Sequence, residues 1–228
     1  MDRSRIGIVI PALNEESSIG IVIEKCRRWG IPIVVDDGSS DQTREVSRLA
    51  GAEVVSHIVN SGYDAALNSG FVHAEKLGCE FVVTIDADGQ HDPELIGKII
   101  ALLNQGADVV VGIRDKRQRL AEHCFAWVTK ALYGMSDPLC GLKGYRMAVY
   151  DALGYFDSYN SIGTELALFS VRSGYRLEQI PIMVRERNGT PRFGRKLSAN
   201  YKIFRALFLS QLKIWPPNGA ENTIKKKD

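Results

Sequence analysis

Two hydrophobic rhythms alternate along the chain. Ile6 to Ile10 is an unbroken apolar run ended by Pro11, which reads as a buried strand. Glu15 to Arg28 follows with Ile19, Val22, Ile23 and Cys26 at helical spacing, and Gly30 stops it. Ile33 to Val35 is a second strand, leading through a turn at Asp37-Gly38-Ser39-Ser40 into a helix from about Asp41 to Leu49. Glu53 to Ser56 predicts a short strand, Ala65 to Leu77 a helix closed by Gly78, and Phe81 to Ile85 a third long apolar strand. Pro93 to Leu103 is helical with proline in its first turn, and Val109 to Ile113 is another strand. Strands alternating with helices imply right-handed crossovers and an α/β fold, with a mostly parallel sheet covered on both faces. Unbroken Val/Ile strands are what such a sheet needs.

Composition narrows the class without naming a function. A chain of 228 residues with 45% hydrophobic and 25% charged residues is long enough for a substantial core and ordinary for a globular protein. The formal net charge of +2 hides an asymmetry. Arg185 to Asp228 carries +8 and the preceding body −6, so the tail is suited to an anionic partner such as phosphate or a membrane surface. Cys26, Cys79, Cys124 and Cys140 have no CxxC spacing, which argues against a zinc ribbon or a disulfide framework. The N-terminal apolar run is too brief for a signal peptide, and no stretch of about 18 apolar residues could span a bilayer. The expected compartment is the cytoplasm, and no nucleic-acid partner is expected.

In an open sheet of this kind, ligands bind beyond the carboxyl ends of the strands. Pro11, Ala12, Asn14 and Glu15 follow the first strand, and Asp36, Asp37, Gly38 and Ser39 the second. Asp86, Ala87, Asp88, Gly89, Gln90, His91 and Asp92 follow the strand at Phe81. So many carboxylates on one rim repel one another, which predicts a cation among them. Asp86-Ala87-Asp88 can turn two carboxylates to one side, and Gly89 permits a tight bend. Hard Mg²⁺ or Mn²⁺ ions take such oxygen ligands and keep positions open for substrate phosphates, with Asp86, Asp88 and Gln90 as candidate ligands.

Four ordered strings carry a family resemblance: VIPALNEE (Val9 to Glu16), VVDDGSSDQT (Val34 to Thr43), DADGQHDPE (Asp86 to Glu94) and DPLCGLKGYR (Asp137 to Arg146). Together they resemble family 2 glycosyltransferases, most closely the dolichyl- or polyprenyl-phosphate mannosyl- and glucosyltransferases, over roughly Ile6 to Lys196. The resemblance implies a GT-A domain, taken over 1–196; the remainder, 197–228, reads by its own spacing and charge as a basic amphipathic helix and polar tail. It implies an inverting mechanism and a GDP- or UDP-sugar donor. By similarity, Pro11, Ala12, Asn14, Glu15, Asp36 and Asp37 line the nucleotide pocket, with Asp86, Ala87 and Asp88 beside the diphosphate. Asp86, Asp88 and Gln90 match the metal and diphosphate positions, and Arg114 a basic residue near the donor phosphates. The chain departs from the pattern at Asp64, where a small residue usually follows Tyr63; a cap on the following helix is the expected role. Cys140 and Lys143 stand where the family more often carries a hydroxyl and an arginine, in the segment expected to meet the acceptor phosphate. Arg187 and Arg192, in an R-x-G-x-S-K-like element, are expected to close over the phosphates.

Substitution at an anomeric carbon spreads charge over the sugar and the leaving diphosphate, which a divalent ion and arginines stabilise. A lipid phosphate acceptor is already anionic and needs little base. A glycan hydroxyl, the alternative acceptor in envelope polysaccharide assembly, needs one, with Asp137 the first candidate and Glu165 the second. The expected catalytic residues are therefore Asp88, Asp137 and Arg114. Leu197, Tyr201, Phe204, Leu207, Phe208, Leu212 and Trp215 recur at helical spacing with Lys202, Arg205 and Lys213 between them. Such a helix can lie on a membrane surface and deliver a lipid phosphate, and the segment around Trp127 could assist. Two rival classes fit less well. A nucleotidylyltransferase needs a basic glycine-rich loop where PALNEE stands, and a non-catalytic relative would have lost Asp86 or Asp88.

Overall fold

The computed structural model describes residues 2–117, 119–184 and 196–215, with backbone alone for Lys196 and Leu197. Strands β1 (Ile6–Ala12), β2 (Ile31–Asp36), β3 (Glu53–Ser56), β4 (Phe81–Thr84), β5 (Val109–Arg114), β6 (Lys143–Arg146) and β7 (Leu177–Ile182) form one sheet in the order β3-β2-β1-β4-β6-β5-β7. Pairing is parallel throughout except at β6, which runs antiparallel between β4 and β5. The helices are α1 (Ile19–Cys26), α2 (Thr43–Leu49), α3 (Tyr63–Lys76), α4 (Leu95–Asn104), α5 (Leu120–Tyr133), α6 (Met147–Leu153), α7 (Glu165–Arg172) and α8 (Lys196–Leu212).

Successive side chains of a strand point to opposite faces, and here both faces are dry. Val9, Ile33, Val82, Val109 and Val111 share one core with Leu67 and Phe71 of α3, Phe125 of α5, Val149 of α6 and Phe169 of α7. Ile8, Ile10, Val34, Val83 and Val110 share the other with Ile19 and Ile23 of α1 and Ile96, Ile99 and Leu103 of α4. That two-sided burial is why the strands read as unbroken apolar runs.

Several boundaries moved. The first helix begins at Ile19 rather than Glu15, because Asn14 takes a left-handed φ of 51° and residues 16–18 form a turn. Gly78 follows α3 at φ 71°, as its role as a stop requires. Asp64 does not cap α3. The cap position is Gly62, and Asp64 lies in the first turn with its carboxylate turned across to the amides of Ile162 and Gly163.

Helix α8 is part of the same core: Ala199, Ile203 and Ala206 are buried, and it packs against α5. Its opposite face carries Tyr201, Phe204, Phe208 and Leu212, all exposed. No described helix is long and apolar enough to cross a membrane.

Helix α3 lies unusually close to the sheet, since a Cβ at Gly70 would land inside the radius of the buried Val9 side chain. Gly70→Ala should therefore destabilise the protein by roughly 1–3 kcal/mol, although glycine-to-alanine in a helix ordinarily stabilises by about 1 kcal/mol. Urea unfolding of the two proteins measures the sign.

Candidate active site

The strand order reverses direction between β1 and β4, and the crevice opened at such a switch point faces the carboxyl ends of the strands. A cavity of about 530 Å³ opens there. Reading across the sheet, its wall carries Asp37 after β2; Pro11, Ala12, Leu13 and Glu15 from the end of β1; Asp86, Asp88 and Gln90 after β4; and Arg114 from β5. Arg119 and Glu122 from the start of α5 and Lys202 and Ile203 from α8 complete the far side.

Each rim carboxylate has a protein partner. Asp37, 5% exposed, accepts from the amides of Ser61 and Gly62 and sits 2.6 Å from His57 Nδ1, whose Nε2 lies 2.9 Å from Ser69 Oγ. It thereby closes the loop between β3 and α3. Asp86 receives Tyr63 Oη at 3.3 Å and lies 3.0 Å from His91 Nε2. Burial alone would raise its pKa, but His91, Lys143 and Tyr63 outweigh burial and hold the carboxyl below its ordinary range. The carboxylate lies against Gly141, where a Cβ would collide with it. Asp88 accepts from the amide of Gln90 at 3.0 Å. Hydrogen bonds from the protein thus hold each of these carboxylates in place.

Other expected residues lie behind the wall rather than in it. Asp36 is fully buried and pairs with Arg44 at 3.0 Å, because it ends β2 facing α2. The side chain of Asn14 bonds the amide of Ser40, and Ala87 is buried in the core on the α1/α4 side. Asp137, expected as a base, is 1% exposed and takes Arg114 in a two-pronged grip, Nε at 2.8 Å and Nη2 at 2.9 Å, plus the Arg114 amide at 3.0 Å. Both its oxygens are engaged by Arg114, which fixes the position of the guanidinium. Glu165 is fully buried and holds Ser158 and Trp215 Nε1.

Cys140 and Lys143 do not reach the cavity either. Insertion of β6 between two strands buries this segment. Burial pushes the Cys140 thiol up to about 12, and Lys143 Nζ donates to the Gly163 carbonyl at 2.9 Å. Arg187 and Arg192 lie outside the described residues.

The sequence reading missed Tyr63, Asn60, Gly62, Arg119, Glu122, Leu139, Ile162, Lys202 and Ile203, all on the wall. Tyr63 had a signal, since it immediately precedes the departure from the family pattern at Asp64; Lys202 and Ile203 had none beyond lying on an amphipathic helix.

The family profile described as glycosyl transferase family 2 matches residues 7–125, more than half of the chain. The chain belongs to that family. Among relatives, it is 28% identical to an uncharacterised protein of Methanocaldococcus jannaschii, over 93% of this chain and 94% of that one. It is 31% identical to an undecaprenyl-phosphate 4-deoxy-4-formamido-L-arabinose transferase of Pectobacterium carotovorum, over 93% of this chain and 70% of that protein. Against a transferase of the same name from Pectobacterium atrosepticum the match spans 52% of that protein. The part of the chain matched there, 67% of it, corresponds to about half the length of that relative. Among solved structures, a glucosyl-3-phosphoglycerate synthase of Mycobacterium tuberculosis, crystallised with Mn²⁺ and UDP-glucose, superposes with a TM-score of 0.72. It shows 25% identity over 94% of this chain and 80% of that one. The fold of this family 2 glycosyltransferase is therefore GT-A-like, and the protein is an enzyme of glycosyl transfer.

The Asp137–Arg114 pair yields a prediction. Asp137→Asn removes one charge from a buried, doubly bonded pair and, among the described residues, leaves the guanidinium with Glu122, 3.4 Å away, for charge balance. Stability should fall by about 3 kcal/mol in denaturant unfolding.

Proposed function

We propose that the protein transfers a hexose, with inversion, from a nucleoside-diphosphate sugar to an acceptor that carries a phosphate, in the first instance a polyprenyl phosphate. The observation carrying this reading is the order of groups across the rim. An acid-lined recess at β1 and β2 suits a nucleoside, Asp86 and Asp88 occupy the middle, and Arg114, Arg119 and Lys202 bring positive charge to the far side.

Among the described residues, no three His, Cys, Asp or Glu side chains form a metal cage. Asp86 and Asp88 nevertheless fit Mg²⁺ or Mn²⁺, since these ions bind one or two carboxylates and take their remaining ligands from water and substrate phosphates. Gln90 stands beside them. A bound divalent ion would offset the charge that accumulates on the leaving diphosphate. The solved neighbour crystallised with Mn²⁺ and UDP-glucose supports both the ion and a nucleotide-sugar donor; GDP and UDP are both retained as donor nucleotides.

The chain's own residues do the rest. Pro11, Ala12, Glu15 and Asp37 form the nucleoside end. Arg114, aimed by Asp137, faces the phosphates, where a fixed guanidinium stabilises charge without reorganising. An acceptor phosphate oxygen attacks the anomeric carbon as the bond to the nucleoside diphosphate breaks, and the diphosphate leaves with the bonding electrons. A phosphate needs no proton removed, which agrees with Asp137 and Glu165 having no carboxylate edge on the cavity. The relatives named as undecaprenyl-phosphate transferases support a lipid acceptor. The exposed Tyr201, Phe204, Phe208 and Leu212 give α8 an apolar face that can lie in the headgroup region, while Lys202 and Ile203 of the same helix line the cavity. Leu120 and Trp127 on α5 are exposed as well. The likeness to a glucosyl-3-phosphoglycerate synthase favours a second reading, a small soluble phosphorylated acceptor.

A donor screen with GDP-mannose, UDP-glucose and UDP-GlcNAc decides between them. Acceptors are a short-chain polyprenyl phosphate, 3-phosphoglycerate and a neutral glycan, each with and without Mn²⁺. Ion-dependent, organic-phase product is expected, with Asp88→Asn losing at least 100-fold in kcat while keeping its unfolding midpoint. Product from the neutral glycan alone sinks the phosphate-acceptor reading. Phe204→Ser/Phe208→Ser should lose about 10-fold or more of its turnover on acceptor held in anionic vesicles and retain it on the short-chain acceptor. Equal turnover on both removes α8 from the membrane.

A further inference from the structure

Asp64 departs from the family pattern and plays no part in the chemistry above, yet it is buried, 8% exposed. Its two oxygens take successive amides from a distant loop: Gly163 N at 2.5 Å on Oδ1 and Ile162 N at 3.1 Å on Oδ2. Both loop residues are left-handed, Ile162 at φ 62° and Gly163 at φ 69°. The two adjacent amides thus converge on one carboxylate, that of Asp64.

For glycine that backbone is free of strain, but for β-branched isoleucine it costs of order 1–3 kcal/mol and persists only where surroundings impose it. The surroundings do. Lys143 Nζ holds the Gly163 carbonyl. Asn68, one turn after Asp64 on α3, receives the amides of Phe156 and Asp157 and donates to the Asp157 carbonyl. Asp157 in turn takes the amides of Tyr159, Asn160 and Ser161. Helix α3 therefore fixes this loop at both ends. Ile162 is on the cavity wall, and Gly163 beside it packs on Tyr63, whose hydroxyl reaches Asp86.

We propose that Asp64 is a positioning residue that holds Ile162 in its strained backbone, and that the Ile162 side chain thereby bounds the end of the cavity where the transferred sugar sits. The proposal rests on the reading of the cavity as a sugar-donor site. It assigns sugar selectivity to an apolar wall near Asp86 and leaves nucleoside recognition to the β1/β2 end. Shape selection by one apolar side chain is worth roughly 10- to 200-fold between competing substrates.

The test uses Asp64→Ala, Asp64→Asn, Ile162→Gly and the double variant Asp64→Ala/Ile162→Gly. It is run at pH 8, above the value of about 6 to which burial and the Asp157 charge push the Asp64 carboxyl. In Asp64→Ala, hydrogen exchange at the Ile162 and Gly163 amides should quicken at least 10-fold. The Kd for UDP with Mn²⁺ should stay within about 2-fold. The ratio of kcat/KM between the preferred donor and a second sugar on the same nucleotide should narrow about 10-fold. Asp64→Asn, which keeps one acceptor oxygen, should fall between. Ile162→Gly relieves the strain and removes the wall, so adding Asp64→Ala to it should cost no further selectivity.

Unchanged exchange at the two amides overturns the clamp. Selectivity lost in parallel with UDP affinity, or additive effects in the double variant, overturns the assignment of Ile162 to the sugar. Native protein that turns over no donor defeats the transferase reading instead, and the exchange measurement decides the clamp independently.

Discussion

The structure is organised by the cost of gathering carboxylates at one rim of the sheet. Parallel strands deliver their carboxyl ends to the same edge, and this chain ends them with Asp36, Asp37 and Asp86. An unpaired buried carboxylate is costly. Each is met by a partner from a different segment: Arg44 for Asp36, His57 and two loop amides for Asp37, His91 and Tyr63 for Asp86. Farther along, Asp137 is met by Arg114. These pairings also shape the cavity, since each pulls a loop or a helix start to the rim. In the function proposed above, a divalent ion would take the middle of that rim, between Asp86 and Asp88.

Periodicity made the first half of the fold legible because local pattern and burial agree there. Glu53–Ser56 has the expected bounds, and the other strands through Arg114 stand where expected, with an end shifted by at most two residues. The second half is different. Strand β6 is Lys-Gly-Tyr-Arg, four residues without an apolar run, and only pairing with β4 and β5 makes it a strand. Its antiparallel insertion is a long-range event that no local spacing encodes. Helix α6 and strand β7 were likewise not read, and α7, six of whose residues are buried, was given no bounds.

The candidate site divides along the same line. Pro11, Ala12, Glu15, Asp37, Asp86, Asp88, Gln90 and Arg114 were named from sequence and line the cavity, because a residue just past a strand end has few other places to go. Cys140, Lys143 and Asp137 were named by motif position, which fixes neighbourhood but not the direction a side chain takes. Tyr63, Ile162 and Lys202 reach the wall from three elements spread over much of the chain, so their convergence depends on how α3, the loop before α7 and α8 pack.

Helix α8 has two faces that its sequence pattern superimposed. The recurrence of Tyr201, Phe204, Phe208 and Leu212 looks like the stripe that docks a helix onto its own domain, but the docking stripe is the smaller set Ala199, Ile203, Ala206 and Ser210 on the opposite side. Small residues let the helix approach α5 closely, and the large ones are left outside. A monomer gains nothing by exposing that much aromatic surface, and such surfaces mark interaction sites. Because Lys202 and Ile203 of the same rigid helix form part of the cavity wall, whatever the outer face rests on is held at a fixed distance from the reacting groups. A lipid phosphate whose tail lies in the layer contacted by Phe204 and Phe208 would then reach the cations of the cavity without leaving that layer.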